Sequence, residues 1–306
     1  MSAAIDGVLV VDKPPGPTSH DVVAVARRAL GTSRVGHTGT LDPMATGVLA
    51  LVVGRATRLA RYMAGDVKAY EAIVTFGRAT DTYDAQGATV RDTGLHPERE
   101  ALAHALTAFT GRFLQTPPAY SAKKIAGEAA YRYARRAAPV VPDPVEVAVH
   151  ELALTAYDQG TAALTLRVSA GFYVRSLAFD LGERLGTGAH LSALRRTRSG
   201  AFTLAQALSW DALARGGPDA RAALAPIDSL LPGLPAVVLA ADDAVRVRHG
   251  QTVKVAAAAT APGATVRLFD QAGHLLGVAY AGPADAGSAA GVAPSRTVLQ
   301  PVVILG

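Results

Sequence analysis

Cysteine is absent from this chain of 306 residues. That excludes disulfides and thiolate metal sites, and it suits a reducing cytoplasm. The eight histidines include no HxxxH pair, so spacing supports no metal site. Long apolar runs are missing too. The longest in the first third is Val48–Val53, far short of the roughly 18 residues a membrane helix needs. Met1 to Gly7 carries neither a basic nor an apolar stretch, so no signal peptide and a cytoplasmic location are expected. Phosphate cradles are lacking as well. There is no GxxxxGK[ST], and no GxGxxG leads from a strand into a helix, which removes kinases, NTPases and dehydrogenases. No GxSxG element supports an α/β-hydrolase.

Half of the residues are hydrophobic, enough for one large core and a smaller domain. The formal charge is +5, and arginine supplies 25 of the 30 cationic side chains. Arginine makes planar, bidentate contacts to phosphate and stacks on bases. Six arginines lie between Arg27 and Arg61 against one acid, Asp42. Lys123, Lys124, Arg132, Arg135 and Arg136 cluster around a single acid, Glu128. Such stripes suit a polyanion such as RNA. A solvated helix face also accounts for any single run.

Gly7–Lys13 reads as a buried strand stopped by Pro14-Pro15-Gly16. Thr18 or Ser19 caps a helix over about 21–30, closed by Gly31. The stretch 36–47 (GHTGTLDPMATG) reads as a Gly-rich loop, and Val48–Val53 as a buried strand. A short Arg-rich helix follows over 56–63. In 68–76, Tyr70, Ala72, Val74 and Phe76 alternate with Glu71, Ile73 and Thr75, the period of a strand. A polar loop over 77–87 and a helix over 97–110, with Pro97 in its first turn, come next. The segment 115–142 reads as an insertion bounded by prolines, with Tyr120, Tyr131 and Tyr133 among its basic residues. Strands are expected over 145–157 and 161–168, and a helix over 172–185. Residues 189–203 carry Arg195, Arg196 and Arg198. A boundary at 231–235 precedes short strand-like stretches and Gly/Ala-rich loops. Strands and helices mix without βαβ alternation, so the fold class is α+β. The expected domains are 1–232, with the insertion at about 115–142, and 235–306.

The 36–47 loop carries the chemistry candidates. Its glycines allow close backbone approach to a ligand, and His37, Thr38, Thr40 and Asp42 are its polar side chains. Asp42-Pro43 also reads as a plain turn, and His37 alone as a structural residue. Tyr70 reads either as a core aromatic or as a stacking platform for a base. Arg175 opens a helix, where the dipole disfavours a cation, which points to an anionic partner elsewhere.

Several blocks together resemble one family. They are GVLVVDKPPGPTSHDVV (7–23), GHTGTLDPMATGVL (36–49), KAY (68–70), GRATDTYDAQG (77–87), QTPPAYSAKKIAGEAAYRYAR (115–135) and GFYVRSLAFDLGERLGTGAHLSALRRTRSGAF (171–202). In order and spacing they resemble the bacterial TruB-type tRNA pseudouridine synthases. Residues from about 235 resemble, less specifically, a small β-rich domain of the PUA type. The resemblance implies a mixed, largely antiparallel sheet flanked by helices, the pseudouridine synthase fold. It implies base flipping and isomerisation of uridine 55 in the T-loop of tRNA, with no cofactor and no metal. By motif match Asp42 is the catalytic aspartate, Tyr70 stacks on the uracil and helps move a proton, Arg175 pairs with Asp42, and Lys13 supports the site. His37 fills the space left by flipped bases, while Tyr173 and Leu194 line the uracil pocket. The basic insertion, with Lys123, Lys124, Arg132, Arg135 and Arg136 as backbone candidates, clasps the T-arm. The partner implied is tRNA, with no membrane, no obligate protein partner and a monomeric state. Two rival readings remain. One is an RNA-binding or RNA-folding protein whose catalysis is secondary; the other is the related synthase subunit of guide-RNA complexes, which would bring extra terminal segments.

Overall fold

The computed structural model describes residues 5–121, 123–125, 127–130, 133, 136, 140–256, 260–282 and 296–306. In chain order the first part contains β1 (Gly7–Lys13), α1 (Ser19–Leu30), β2 (Val35–His37) and β3 (Thr46–Val53). A 3-10 turn (Gly54–Leu59) and α2 (Ala60–Ala64) lead to β4 (Lys68–Phe76). Then follow β5 (Arg78–Thr80), β6 (Thr89–Asp92), α3 (Arg99–Thr107), β7 (Gly111–Gln115), β8 (Lys124–Ile125) and β9 (Glu128–Ala129). The long hairpin of β10 (Val145–Asp158) and β11 (Thr161–Val168) precedes α4 (Val174–Arg184) and β12 (Ala189–Ser199). β13 (Phe202–Thr203), β14 (Leu208–Ser209), α5 (Trp210–Arg215), α6 (Pro218–Ala222) and β15 (Leu224–Pro226) complete this part.

Eleven of these strands form one sheet, ordered β14-β1-β3-β12-β4-β11-β10-β7, with β13, β15 and β2 attached beside β12, β1 and β3. Only the β1–β14 and β3–β12 pairs are parallel, so the sheet is mixed and largely antiparallel, and the fold is α+β. The apolar runs in β1 and β3 have a physical reason. Leu9, Val11, Leu49, Leu51 and Val53 enter one core, while Val8, Val10, Val48, Ala50 and Val52 enter another on the opposite face. A strand buried on both faces reads as a continuous apolar run. β4 alternates because only one of its faces reaches the main core, through Tyr70, Ala72, Val74 and Phe76.

α1 starts and stops where its sequence says. Thr18 caps it in a reciprocal box with Asp21, and Gly31 ends it at φ 66°, a left-handed conformation glycine adopts freely. The β10–β11 turn uses Gln159 and Gly160, both at positive φ.

The second part is a separate five-stranded sheet. Its strands are β16 (Ala236–Val238), β17 (Val253–Ala256), β18 (Thr265–Phe269), β19 (Leu275–Ala281) and β20 (Arg296–Ile304), with α7 (Ala241–Arg248) after β16. The order is β16-β18-β19-β20-β17. It has its own small core, and Leu275, Val278 and Leu305 join Val8, Val10 and Val52 in the cluster that ties the two sheets together.

Several boundaries differ from the sequence expectations. The Gly-rich loop is shorter, because Val35–His37 and Thr46–Val53 pair as strands across it. The segment 77–87 opens as a strand, β5. The 56–63 helix is half 3-10. Pro97 lies before the cap of α3, and Glu98 is the cap. The 172–185 helix begins only at Val174, because Tyr173 is an extended cap. Gln115 is no insertion residue: it closes β7, which pairs with β10 in the main sheet.

Candidate active site

Residues 38–45 join β2 to β3 and carry Asp42. Buried groups hold this loop from several sides. The Ser19 hydroxyl donates to Leu41 O (3.0 Å) and accepts from Leu41 N (2.8 Å). Lys13 Nζ donates to the carbonyls of Pro14 (2.9 Å), Pro43 (3.1 Å) and Ala45 (2.7 Å). Arg196 donates through Nε to Val48 O (2.7 Å) and through its terminal nitrogens to Thr40 O (3.3 Å) and Gly39 O (3.1 Å). Two buried cations therefore grip backbone carbonyls on either side of Asp42. Gly47 permits the approach, since a Cβ there would fall 2.2 Å from Arg196 O. Asp42 O also accepts from Ala45 N at 3.1 Å, so the Asp-Pro turn exists and carries the functional candidate as well.

The Asp42 carboxylate meets Arg175, near the start of α4. Arg175 Nη2 donates to Asp42 Oδ1 at 3.1 Å. Its Nε lies 2.9 Å from Asp42 Oδ2 and 3.7 Å from Asp84 Oδ2, as charge contacts without hydrogen-bond alignment. The Arg175 side chain is 5% exposed, Asp84 6% and Asp42 33%. Arg175 is thus held internally, and of the three Asp42 alone opens to a ligand. Backbone carbonyls complete the arginine's shell: Thr82 O at 3.0 Å and Tyr120 O at 2.9 Å. Such an arrangement orients the carboxylate.

The exposed edge of Asp42 faces a cavity of about 320 Å³. Tyr70, Tyr173, Arg175 and Leu194 line it, with Lys68, Arg196 and Phe172. Of the sequence candidates, Asp42, Tyr70, Arg175, Tyr173 and Leu194 thus come together. Tyr70 is 8% exposed and belongs to the main core while lining the cavity, so it is a core aromatic that also presents a surface to the site. Burial raises the Tyr173 hydroxyl above its ordinary pKa. Lys13 stands behind the loop, off the cavity wall; burial lowers its ammonium to about 8. His37 is also off the wall, edge-on to His20 at 5.5 Å. Burial, with His20 and Arg196 nearby, lowers its pKa, so the ring is neutral at pH 7.

Four supporting residues escape sequence reasoning. Asp84 shares Arg175 with Asp42, and its Oδ1 accepts from Thr82 Oγ1 (2.7 Å) and Gln86 N (3.0 Å). The Gln115 side chain donates to Tyr173 O (3.1 Å) and accepts from Tyr173 N (2.8 Å), tying the residue that opens α4 to the end of β7. Arg196 and Lys68 are buried at 1% and 8% exposure. The one usable signal is a charged residue at an inward strand position: Lys68 shares the parity of Tyr70 and Val74.

The basic stretches divide. Arg27 donates to Val35 O, Arg55 to Leu305 O and Arg58 to Ile304 O, so part of the 27–61 cluster serves the fold. In the insertion Lys123 is exposed, and Arg136 is ion-paired with Glu128 at 2.8 Å. Arg132, Arg135 and the Lys124 side chain lie outside the described residues.

Comparison with known proteins identifies the family. A model described as TruB family pseudouridylate synthase (N terminal domain) matches residues 27–174. A tRNA pseudouridylate synthase B C-terminal domain model matches 175–232, and a pseudouridine synthase II TruB, C-terminal model matches 235–296. A tRNA pseudouridine synthase B of Symbiobacterium thermophilum is 49% identical over 253 residues, covering 81% of this chain and 83% of that protein. One of Burkholderia mallei is 41% identical over 301 residues, covering 97% and 98%. Among solved structures, a chain of a Cbf5-Nop10-Gar1 complex superposes with a TM-score of 0.74 at 25% identity, covering 98% of this chain and 85% of that one. Matched along nearly its whole length by these relatives, the chain belongs to the TruB family of tRNA pseudouridine synthases, and it is an isomerase.

Proposed function

We propose that this enzyme isomerises uridine 55 in the T-loop of tRNA to pseudouridine, with the target base flipped into the Asp42 cavity. The observation that carries the reading is Asp42 itself: a carboxylate open to a cavity of about 320 Å³ and held from behind by a buried arginine. A base stacked in a folded loop is out of reach, so flipping must precede chemistry. The N1–C1′ bond then breaks, the base turns, and C5 bonds to C1′. The C5 proton leaves and N1 gains one. Atoms and oxidation state balance within the nucleoside, so the step draws on no redox or acyl group.

Asp42 is the essential carboxylate, acting covalently as carboxylates can. Arg175 keeps it aimed, and Asp84 fixes the arginine. Tyr70 stacks on the uracil and assists proton transfer, Tyr173 and Leu194 shape its slot, and Lys13 holds the loop. His37 takes the place of a displaced base beside the cavity. The insertion clasps the T-arm through exposed cations such as Lys123. We read residues 1–232 as the catalytic domain and 235–306 as a PUA-like RNA-binding domain. The enzyme works as a monomer in the cytoplasm, without an obligate protein partner. No helix among the described residues is long and apolar enough to cross a membrane.

The test is tritium release from tRNA carrying C5-tritiated uridine. Wild type is expected to release one tritium per tRNA. Asp42→Asn, or replacement of the T-loop target base, is expected to abolish release while binding persists. Tight binding with no release by wild type would instead favour an RNA-folding protein.

A further inference from the structure

Lys68 opens β4 two residues before Tyr70, so both side chains leave the same face of the strand. Its stem runs beneath the Asp42 loop: a Cβ on Gly39 would sit 3.3 Å from Lys68 Cε and 3.7 Å from Arg196 Nη1. An ammonium has three N–H groups. Two of them meet Ala64 O (3.2 Å) and Asp66 O (2.9 Å). The third has no acceptor among the described residues, and the side chain lines the cavity. Neither Lys68 nor its neighbour Arg196 forms an ion pair among the described residues. Burying cations without a close counter-ion is costly, and here two of them share the wall of the Asp42 cavity, with the Asp66 carboxylate acting on Lys68 from farther off. Burial, and then Arg196, lower the Lys68 ammonium to about 8, which leaves it charged at neutral pH.

We propose that Lys68 is a catalytic residue that donates its remaining N–H to the uracil ring and stabilises the ring as a detached anion. The inference rests on the assignment of the Asp42 cavity to the target uracil. When the N1–C1′ bond breaks, its electron pair stays on N1. Asp42 bonds to C1′ as N1 leaves, since an adduct at C6 of the ring would interrupt the conjugation that spreads this charge. The base is then a monoanion with charge spread over N1, O2, O4 and C5. It turns, C5 forms the new bond to C1′ with that electron density and displaces the Asp42 carboxylate, the C5 proton departs, and N1 is protonated. Lys68 exchanges no proton in this sequence. The negative charge exists only between cleavage and rebonding, so a fixed cationic donor binds that state more tightly than bound uridine. Selective stabilisation of this kind accelerates the chemical step.

The experiment compares wild type, Lys68→Met, Lys68→Arg and Asp42→Asn. Single-turnover tritium release is followed with excess enzyme on full-length tRNA, and tRNA affinity is measured at two salt concentrations. Lys68→Met is expected to slow the bound reaction by about 100-fold, the effect of losing one preorganised donor, with affinity and salt dependence unchanged. Lys68→Arg should recover at least about a tenth of the wild-type rate, since it keeps a cationic donor. Should Lys68→Met fail to fold, Lys68→Gln, which keeps a polar head, takes its place. A Lys68→Met enzyme as fast as wild type overturns the proposal. So does a loss that appears in affinity and salt slope instead, which marks a phosphate contact. An Asp42→Asn enzyme that still turns over would sink the cavity assignment itself. An inactive Asp42→Asn beside a fully active Lys68→Met would sink only the role of Lys68.

Discussion

The Asp42 loop and the second sheet are anchored on the same two strands, β1 and β3, by opposite means. The loop is held by hydrogen bonds from buried cations: Lys13 at the end of β1, and Arg196 reaching Val48 O on β3. The second sheet is held mainly by aliphatic contact, with Leu275, Val278 and Leu305 against Val8, Val10 and Val52. Hydrogen bonds are directional and fix an orientation. Apolar burial is non-directional and tolerates small slides. The end that aims the Asp42 carboxylate is built from the first kind of contact, and the second sheet, which we propose grips RNA, is joined by the second.

The sharpest way to break the comparison is Lys13→Met. It leaves the Pro43 and Ala45 carbonyls without their donor, and turnover should fall on the order of 100-fold, the cost of a small misplacement, while tRNA affinity holds. The same residue makes a pH prediction. Its folded pKa, about 8, lies below the ordinary value of 10.5. Between those values the unfolded chain binds more protons, so the Lys13 contribution to stability rises with pH, by at most about 3 kcal/mol. Activity should fall over the same window, because a neutral amine has two N–H groups for three carbonyls. Urea midpoints and single-turnover rates from about pH 8 to 10.5, the span of the two pKa values, should move in opposite directions. Lys13→Met should remove its share of the stability change. A parallel fall of both would refute the assignment.

Tyr70 tests whether one residue can serve both kinds of contact. Tyr70→Ala should cost about 3 kcal/mol or more as a core cavity, which confounds any loss of activity. Tyr70→Phe keeps the packing: its melting temperature should stay within a few degrees, and a turnover loss of about tenfold or more would isolate the hydroxyl. On the apolar side, Arg55→Ala with Arg58→Ala removes the hydrogen bonds to Leu305 O and Ile304 O. We expect tRNA affinity to weaken several-fold, on the order of 1 kcal/mol, with the bound-state rate unchanged. The smallest effect should come from Arg136→Gln. Its ion pair with Glu128 is exposed on the arginine side, so stability should change by less than about 1 kcal/mol. If Arg136 touches phosphate, the salt slope of binding should drop by about one.

Much of this is legible in the sequence where a local rule operates. The capped α1, the alternating β4, the turn at 158–160 and the apolar β1 and β3 follow from caps, periodicity and turn chemistry. The strand inside the Gly-rich loop is hidden because β2 is only three residues long and its pairing partner sets it. Gln115 reads as insertion because its strand, β7, is defined by register with β10. In the site, only the motif residues to which the resemblance gives a role are found from the sequence. Asp84, Arg196 and Gln115 are not, because their roles depend on contacts across the fold. Gln115 meets Tyr173 58 positions away, and Arg196 meets Gly39 157 positions away.

One hydroxyl shows how narrow such a site is as a mutational target. Ser19 is 1% exposed and serves both polar groups of Leu41, the residue just before Asp42. Alanine would strand a buried N–H and a buried C=O together. Cysteine would offer a larger atom with weaker bonds, and threonine would add a methyl to a side chain that is already enclosed. Serine therefore has no neutral neighbour here, and the position behind the carboxylate can change only together with the loop that it holds.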